Sequence, residues 1–273
     1  MTSLARPLFI GAGLVALVLA AGFYLQLPWA TGAWPWPAGR LSNIFVASVL
    51  AAAALPVLWI GMSGEFAAAA GGALNLSIAN AGIAVHALGQ GGSPAASPSG
   101  RFGLACAVAS VACAALFLWS RRLPFRDRRP VSRHIRWSFV LFAMILVGVG
   151  GRMVLQGAQL FPWPLTEPHA VVYGWIFLGA ACYFLYAVAR PVMANTTGQL
   201  LGFLAYDLVL IVPFTQHLDK VPPALRTNLW VYLAVLVFSA VLALHALGLH
   251  RATRLFDMDQ QRAHLSARNS SGH

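Results

Sequence analysis

Three histidines are the residues whose type and placement could do chemistry in this 273-residue chain. His86 and His217 end two apolar segments, and His169 begins another. If the chain crosses a membrane in alternating directions, all three lie near one membrane face. Imidazoles gathered there can bind copper, zinc or haem iron. The alternative is three ordinary interfacial histidines at helix ends, where polar side chains are easily hydrated.

His169 has the most distinctive surroundings. It lies in the segment EPHAVVYGW, where Tyr173 follows four residues later and therefore on the same helical face. Gly174 allows a neighbouring helix or a ring to approach closely. We therefore predict a haem or copper site with His169, His217 and Tyr173 as cofactor-binding residues. The predicted metal ligands are His86, His169 and His217.

Four polar residues lie inside apolar runs: Asp207, Arg152, Asn75 and Asn80. A polar or ionisable side chain at such depth is costly unless it is paired or hydrated, so each is a functional candidate. An ion pair between Asp207 and Arg152 is the structural alternative for those two. In another interpretation, Asp207, Asn75 and Asn80 line a path for a small solute.

The elements that must position these residues follow from composition. The chain is 59% hydrophobic and 9% charged, with a mean hydropathy of +0.72. Soluble domains carry roughly 25% charged residues, so a soluble enzyme and a disordered chain are excluded. The apolar residues form eight segments of about 20 residues, the length that a helix needs to cross a bilayer. The seventh segment is predicted to run from about Gly198 to Thr215. We therefore predict an all-α polytopic membrane helix bundle.

The basic residues indicate the orientation of that bundle. The net charge is +11, and seven arginines lie in one loop, residues 121–136. With eight spans, thirteen basic residues fall on the side of the N-terminus and four on the other. Basic loops stay in the cytoplasm, so both termini are expected there, in a bacterial inner (plasma) membrane. The predicted partner is the lipid bilayer, with other membrane subunits as a further expectation and no nucleic acid.

The chain divides into two similar halves. We predict a four-helix half at 1–120, a basic cytoplasmic loop at 121–136, a second four-helix half at 137–250 and a cytoplasmic tail at 251–273. The tripeptide Pro-Trp-Pro around Trp36 recurs 127 residues later around Trp163, and Asn80 corresponds to Asp207. This recurrence favours a parallel 4+4 repeat. The alternative is chance, because membrane interfaces are rich in tryptophan.

The stretch from Ile135 to about Pro213 resembles the first two helices of the catalytic subunits of haem-copper oxidases and nitric oxide reductases. It contains an apolar helix with Gly150-Gly151, an arginine and a short loop with Leu160, Pro162 and Trp163. His169 then opens a helix of the form H-x4-G-W, which ends in Phe184 and Tyr186. In that family the corresponding histidine is an axial ligand of the low-spin haem, and the resemblance implies this role for His169 alone.

Two departures limit what the resemblance implies. The family has about twelve helices, and this chain lacks both the H-P-E-V-Y segment and the paired histidines of the oxygen-reducing centre. The first functional hypothesis is therefore a haem- or copper-associated redox protein without that centre. The second is a non-catalytic subunit or assembly factor, with Ala67–Ala73 and the LGAAC segment as docking surfaces. The third is a small-solute transporter.

Overall fold

The computed structural model describes residues 2–90, 95–156 and 160–249. Within these ranges the chain forms nine α-helices and no β-strand. Eight helical segments are long and apolar enough to cross a membrane, which confirms the predicted all-α polytopic bundle. The helices are α1 (Thr2–Tyr24), α2 (Pro28–Thr31), α3 (Arg40–Ser63), α4 (Ala69–Gly89), α5 (Pro98–Ser120), α6 (Arg133–Gln156), α7 (Glu167–Ala189), α8 (Met193–His217) and α9 (Arg226–Leu244).

Local sequence signals set the ends of several helices. Gly64 ends α3 in the left-handed conformation, with φ of 72°, and its N–H binds the carbonyl of Ile60. Glycine adopts this conformation without the steric cost that a side chain brings. At the start of α5, Pro98 occupies the first turn, and the Ser97 hydroxyl accepts the N–H of Gly100.

Two boundaries differ from the sequence prediction. The basic loop ends earlier than predicted, because α6 already begins at Arg133. Helix α8 begins at Met193 rather than near Gly198, because the polar residues Asn195 and Thr196 are buried inside the bundle. Their polarity lowers the local hydropathy and conceals the first turn. The predicted tail at 251–273 lies outside the described residues.

Four helices form the interior of the bundle and four surround it. The inner helices α3, α4, α7 and α8 are each about half buried, whereas α1 and α5 are mostly exposed in the isolated chain. Each inner helix packs on one outer helix: α3 on α1, α4 on α5, α7 on α6 and α8 on α9. The halves meet through α4 with α7 and through α3 with α8. The pairs correspond between the halves: α1–α3 is equivalent to α6–α7, and α4–α5 is equivalent to α8–α9. The two contacts between the halves, α4–α7 and α3–α8, are likewise equivalent to each other.

The two helix pairs that join the halves cross at corresponding positions. On the α4–α7 interface, a Cβ added to Gly179 would lie 2.6 Å from the Asn75 carbonyl oxygen. On the α3–α8 interface, a Cβ added to Gly202 would lie 3.1 Å from the Ala52 carbonyl oxygen. Gly179 and Gly202 lie 127 residues after Ala52 and Asn75, respectively. This correspondence supports the repeat that the tryptophan motif predicts.

The contacts between loops define two ends of the bundle. Arg6 and Arg126 meet near Gly64, and we call this the arginine end. Trp34 and Trp36 meet His169 at the opposite end, which we call the tryptophan end. The predicted histidine chemistry therefore belongs to the tryptophan end.

Candidate functional site

His169 lies at the tryptophan end, in the first turn of α7, with only 2% of its surface exposed. Its Nε2 atom accepts a hydrogen bond of 3.2 Å from the indole N–H of Trp34, and Nδ1 lies 2.6 Å from the Thr166 hydroxyl. An indole nitrogen only donates, so Nε2 carries the lone pair and Nδ1 donates its proton to Thr166. Both nitrogens of a neutral ring are therefore engaged.

His86 also lies at the tryptophan end, in the last turn of α4. The Trp36 ring contacts both histidines, with centroid distances of 6.2 Å to His86 and 6.5 Å to His169. Gln90 connects this group, because its amide oxygen accepts the Trp36 N–H at 3.1 Å and its amide nitrogen lies 3.1 Å from His86 Nε2. Helices α4 and α7 thus bring two of the three predicted histidines to one tryptophan.

The third histidine lies elsewhere. His217 ends α8, and its Nε2 is buried without a hydrogen-bond partner. The neighbouring Phe214 packs on Trp163, the counterpart of Trp36 in the second half. Among the described residues, no three His, Cys, Asp or Glu side chains are placed to hold one metal ion. The structure therefore pairs His86 with His169 and leaves His217 apart.

Trp163 covers the start of α3, as Trp34 covers the start of α7. The Trp163 indole donates a 3.0 Å hydrogen bond to the hydroxyl of Ser42, which lies 127 residues before His169. Tyr173 is fully buried, and its hydroxyl donates to the Ser42 carbonyl at 3.2 Å. Each half therefore uses its tryptophan loop to close the first turn of an inner helix in the other half.

The space beside His169 bears directly on the predicted haem or copper. Metal coordination at Nε2 requires the Trp34 indole to leave, because its N–H occupies the lone pair that a metal would use. Deeper in the same interface, the indole of Trp175 packs directly on Gly82, so α4 and α7 leave no room for a macrocycle between them. Haem or copper binding stays a prediction, and it demands a rearrangement of the tryptophan loop.

Asp207 lies near the middle of α8 and is 1% exposed. Its Oδ1 atom accepts a 2.9 Å hydrogen bond from the Ser239 hydroxyl of α9, and Oδ2 is buried without a partner. Arg152 is exposed on α6 and makes no ion pair with Asp207, so the alternative of a structural ion pair is wrong. The sequence did not single out Ser239, although a hydroxyl within an apolar helix was the available signal.

Two tyrosines connect Asp207 to the aromatic interior. The hydroxyls of Tyr206 and Tyr232 are hydrogen-bonded to each other, and Tyr206 directly precedes Asp207. The Tyr232 ring packs on Phe214, with a centroid distance of 5.1 Å, and on Phe161, at 5.8 Å. Neither tyrosine is recognisable as a candidate from the sequence, because they lie on different helices and only packing brings them together.

The two candidate asparagines lie away from Asp207. Asn80 is half-buried on α4 and donates a 2.7 Å hydrogen bond to the Leu76 carbonyl of its own helix. Asn75 packs on Gly179 at the crossing of α4 and α7. Asp207 instead contacts α9, so the path predicted from these three residues is not assembled in this arrangement.

The small-residue segments proposed as docking surfaces are internal. Ala67, Ala68, Ala69, Ala70 and Ala73 are all at most 4% exposed. Gly71 lies under the Tyr183 ring, and Gly179 of the LGAAC segment packs on Asn75. These residues let inner helices approach closely within this chain, which is the usual use of small residues in membranes. A role as a non-catalytic subunit or assembly factor stays a prediction, but these segments are not available as its docking surfaces.

The fold defines a multi-pass α-helical membrane protein. No protein-family model, curated protein or solved structure matches this chain. A functional proposal therefore depends on the geometry of its own residues.

Proposed function

We propose that this protein is a proton-coupled transporter of a small solute in the bacterial inner membrane, with Asp207 as the group that takes up and releases the proton. The observation that supports this most is the buried carboxyl group of Asp207, which has one unpartnered oxygen in the middle of a membrane span. Acidic residues in such positions mark proton relays and substrate paths.

The surroundings of Asp207 suit a group that exchanges a proton. A carboxylate buried without a positive counter-charge is costly, and binding a proton removes that cost. Ser239 holds Oδ1 in place, which leaves Oδ2 available for the proton. Release of the proton would then require water or a solute to reach the carboxylate, and this requirement couples proton movement to a change in conformation.

The arrangement of the helices supports alternating access. Parallel repeats with a site near the midplane are typical of transporters in which one half moves against the other. Here the halves meet through α4–α7 and α3–α8. Tryptophans from both halves close one end, because Trp34 binds His169 and Trp163 binds Ser42. Opening that end requires both contacts to break.

The inner membrane assignment rests on the charges. Arginines crowd the end that carries the N-terminus and the loop between the halves. Such residues are retained in the bacterial cytoplasm and meet anionic lipid there.

Purified protein in liposomes with an entrapped pH-sensitive dye tests the proposal. A panel of amino acids, sugars and small carboxylates is added outside, and the change in internal pH is recorded for wild type and Asp207→Asn. We expect one solute class to acidify the interior of wild-type liposomes. The rate of acidification with Asp207→Asn should be at least about tenfold lower. Asp219→Asn, an exposed acid beyond the end of α8, is the matched control and should keep the wild-type rate. Equal rates for Asp207→Asn and wild type would reject the proposal.

A haem- or copper-associated redox protein is the second candidate. The specific observation in its favour is that Trp36 contacts both His86 and His169. Its test is the absorption spectrum and metal content of protein purified from cells supplied with haem and copper. Trp34→Phe should increase occupancy because it releases Nε2 of His169, and His169→Ala should abolish it. Colourless, metal-free preparations of wild type and Trp34→Phe would reject this candidate.

A further inference from the structure

Two guanidinium groups meet over the last turn of α3 at the arginine end. A Cβ added to Gly64 would lie 2.9 Å from Nη1 of Arg126 and 3.1 Å from Nη2 of Arg6. The two nitrogens are therefore within about 6 Å of each other, a distance at which like charges repel and which an anion between them would favour. The convergence of Arg6 and Arg126 thus needs a physical explanation.

The acidic residues nearby do not provide the missing negative charge. Glu65 is 4% exposed, and its carboxylate accepts the backbone N–H groups of Arg126 and Asp127 at 3.0–3.1 Å. Asp127 forms an ion pair with Arg129 at 2.7 Å. In the part of the chain that the structure describes, Arg6 and Arg126 have no carboxylate partner.

Capping of α3 explains only one of the two arginines. Arg126 donates from Nη1 to the Ser63 carbonyl at 2.9 Å, as basic side chains often do at a helix C-terminus. Arg6 makes no hydrogen bond or ion pair to any described residue. Its guanidinium lies beside another cation, and no residue in the described ranges forms a hydrogen bond or ion pair that favours that position.

The surface around the pair favours a ligand with both a charged and an apolar part. Leu4 and Leu8 lie two residues before and after Arg6 on α1, on the face of the helix that points away from Arg6, and they are 70% and 69% exposed. Further arginines are exposed on the same loop and on the start of α6: Arg121, Arg122, Arg128, Arg133 and Arg136. Guanidinium groups match phosphate oxygens with paired N–H donors, and exposed leucines on a membrane helix lie against acyl chains.

We propose that Arg6 and Arg126 bind the headgroup phosphate of an anionic phospholipid between α1 and the end of α3. The phosphate lies between the two guanidiniums and removes their repulsion, and the acyl chains extend into the bilayer beside α1. Because Arg126 belongs to the loop that joins the halves, the bound lipid also fixes that loop on α3.

Native mass spectrometry of the delipidated full-length protein in detergent tests this site, with phosphatidylglycerol and phosphatidylcholine as probes. Arg6→Gln is the decisive variant, because Arg6 has no partner among the described residues and its loss should leave the fold intact. We expect wild type to prefer phosphatidylglycerol and Arg6→Gln to bind it at least about tenfold more weakly. Arg40→Gln with Arg226→Gln, which removes two exposed arginines from the tryptophan end, is the matched control and should bind as wild type does.

Two outcomes would overturn the proposal. Equal affinity of Arg6→Gln and wild type for phosphatidylglycerol would show that the pair is not the lipid site. Displacement of the lipid by inorganic phosphate at the same concentration would assign the site to free phosphate. Arg6→Lys with Arg126→Lys adds a check on the geometry, because it keeps the charge and loses the paired donors. Unchanged lipid affinity in that variant would reject recognition by the guanidinium groups.

Discussion

The α4–α7 and α3–α8 interfaces have the same backbone geometry and different chemistry. Both cross where a glycine meets a carbonyl oxygen, at Gly179 on Asn75 and at Gly202 on Ala52. At the tryptophan end, however, α4–α7 carries His86 and His169, whereas the position equivalent to His169 in α3–α8 is Ser42. The packing is thus common to both halves, and the titratable side chains distinguish them.

The same asymmetry recurs at the middle of the membrane. Asn80 and Asp207 are equivalent by position, yet Asn80 binds the carbonyl of its own helix and Asp207 binds Ser239 on the next helix. The repeated scaffold therefore carries a buried carboxyl group at this position in only one half. Close helix packing and side-chain chemistry can therefore be altered separately in this molecule.

The largest expected difference in stability is between glycine variants at the two helix crossings. Gly179→Ala would place a methyl group 2.6 Å from the Asn75 carbonyl oxygen, and Gly202→Ala would place one 3.1 Å from that of Ala52. Overpacking against backbone costs about 2–3 kcal/mol at the tighter site and about 1 kcal/mol at the looser one. Denaturant unfolding in detergent measures both. Equal losses of stability would show that the two crossings are packed equally tightly, contrary to the structure.

The next difference lies at the tryptophan end. His169→Ala removes the acceptor of the Trp34 N–H and the contact with Thr166, and we expect a loss of about 1–2 kcal/mol. Ser42→Ala removes only the acceptor of the Trp163 N–H, since Tyr173 binds the backbone of Ser42, so about 1 kcal/mol is expected. Thermal unfolding with tryptophan fluorescence measures both. A larger loss of stability for Ser42→Ala than for His169→Ala would contradict this prediction.

The smallest difference concerns the loop that joins the two interfaces at the arginine end. The Asp127 carbonyl accepts the N–H of Ala194 in α8, and its backbone N–H binds Glu65 at the end of α3. Burial acts to raise the pKa of the Asp127 carboxyl, but the hydrogen bonds and charge of Arg129 outweigh it and lower that pKa below 3.8. Asp127 therefore stabilises the fold above this ordinary pKa, and the stabilisation is lost as the pH falls through the lowered pKa.

Asp127→Asn tests this pH dependence. At pH 7 we expect its Tm to lie slightly below that of wild type, because the pair with Arg129 is partly exposed and weak. The difference in Tm should disappear as the solution is acidified through the lowered pKa of Asp127. A difference that is independent of pH would show that the charge of Asp127, paired with Arg129, does not contribute to the stability of the fold.

The amount that could be predicted from the sequence differs between the spans and the site. Runs of apolar residues predicted eight spans, because a bilayer requires helices of that length and polarity. The start of α8 was missed, because Asn195 and Thr196 are polar yet buried. At the site, the shared face of His86 and His169 followed from topology, but their common contact with Trp36 did not.

Hydropathy alone determined that this chain is a helical membrane bundle, since transfer into lipid acts on each segment separately. Only the tertiary structure decided which polar atoms are paired. It engaged both nitrogens of His169, left Oδ2 of Asp207 without a partner and separated Arg152 from Asp207. The physical reason is that hydrogen bonds and ion pairs depend on distances of a few ångströms between residues far apart in sequence, which no local pattern encodes.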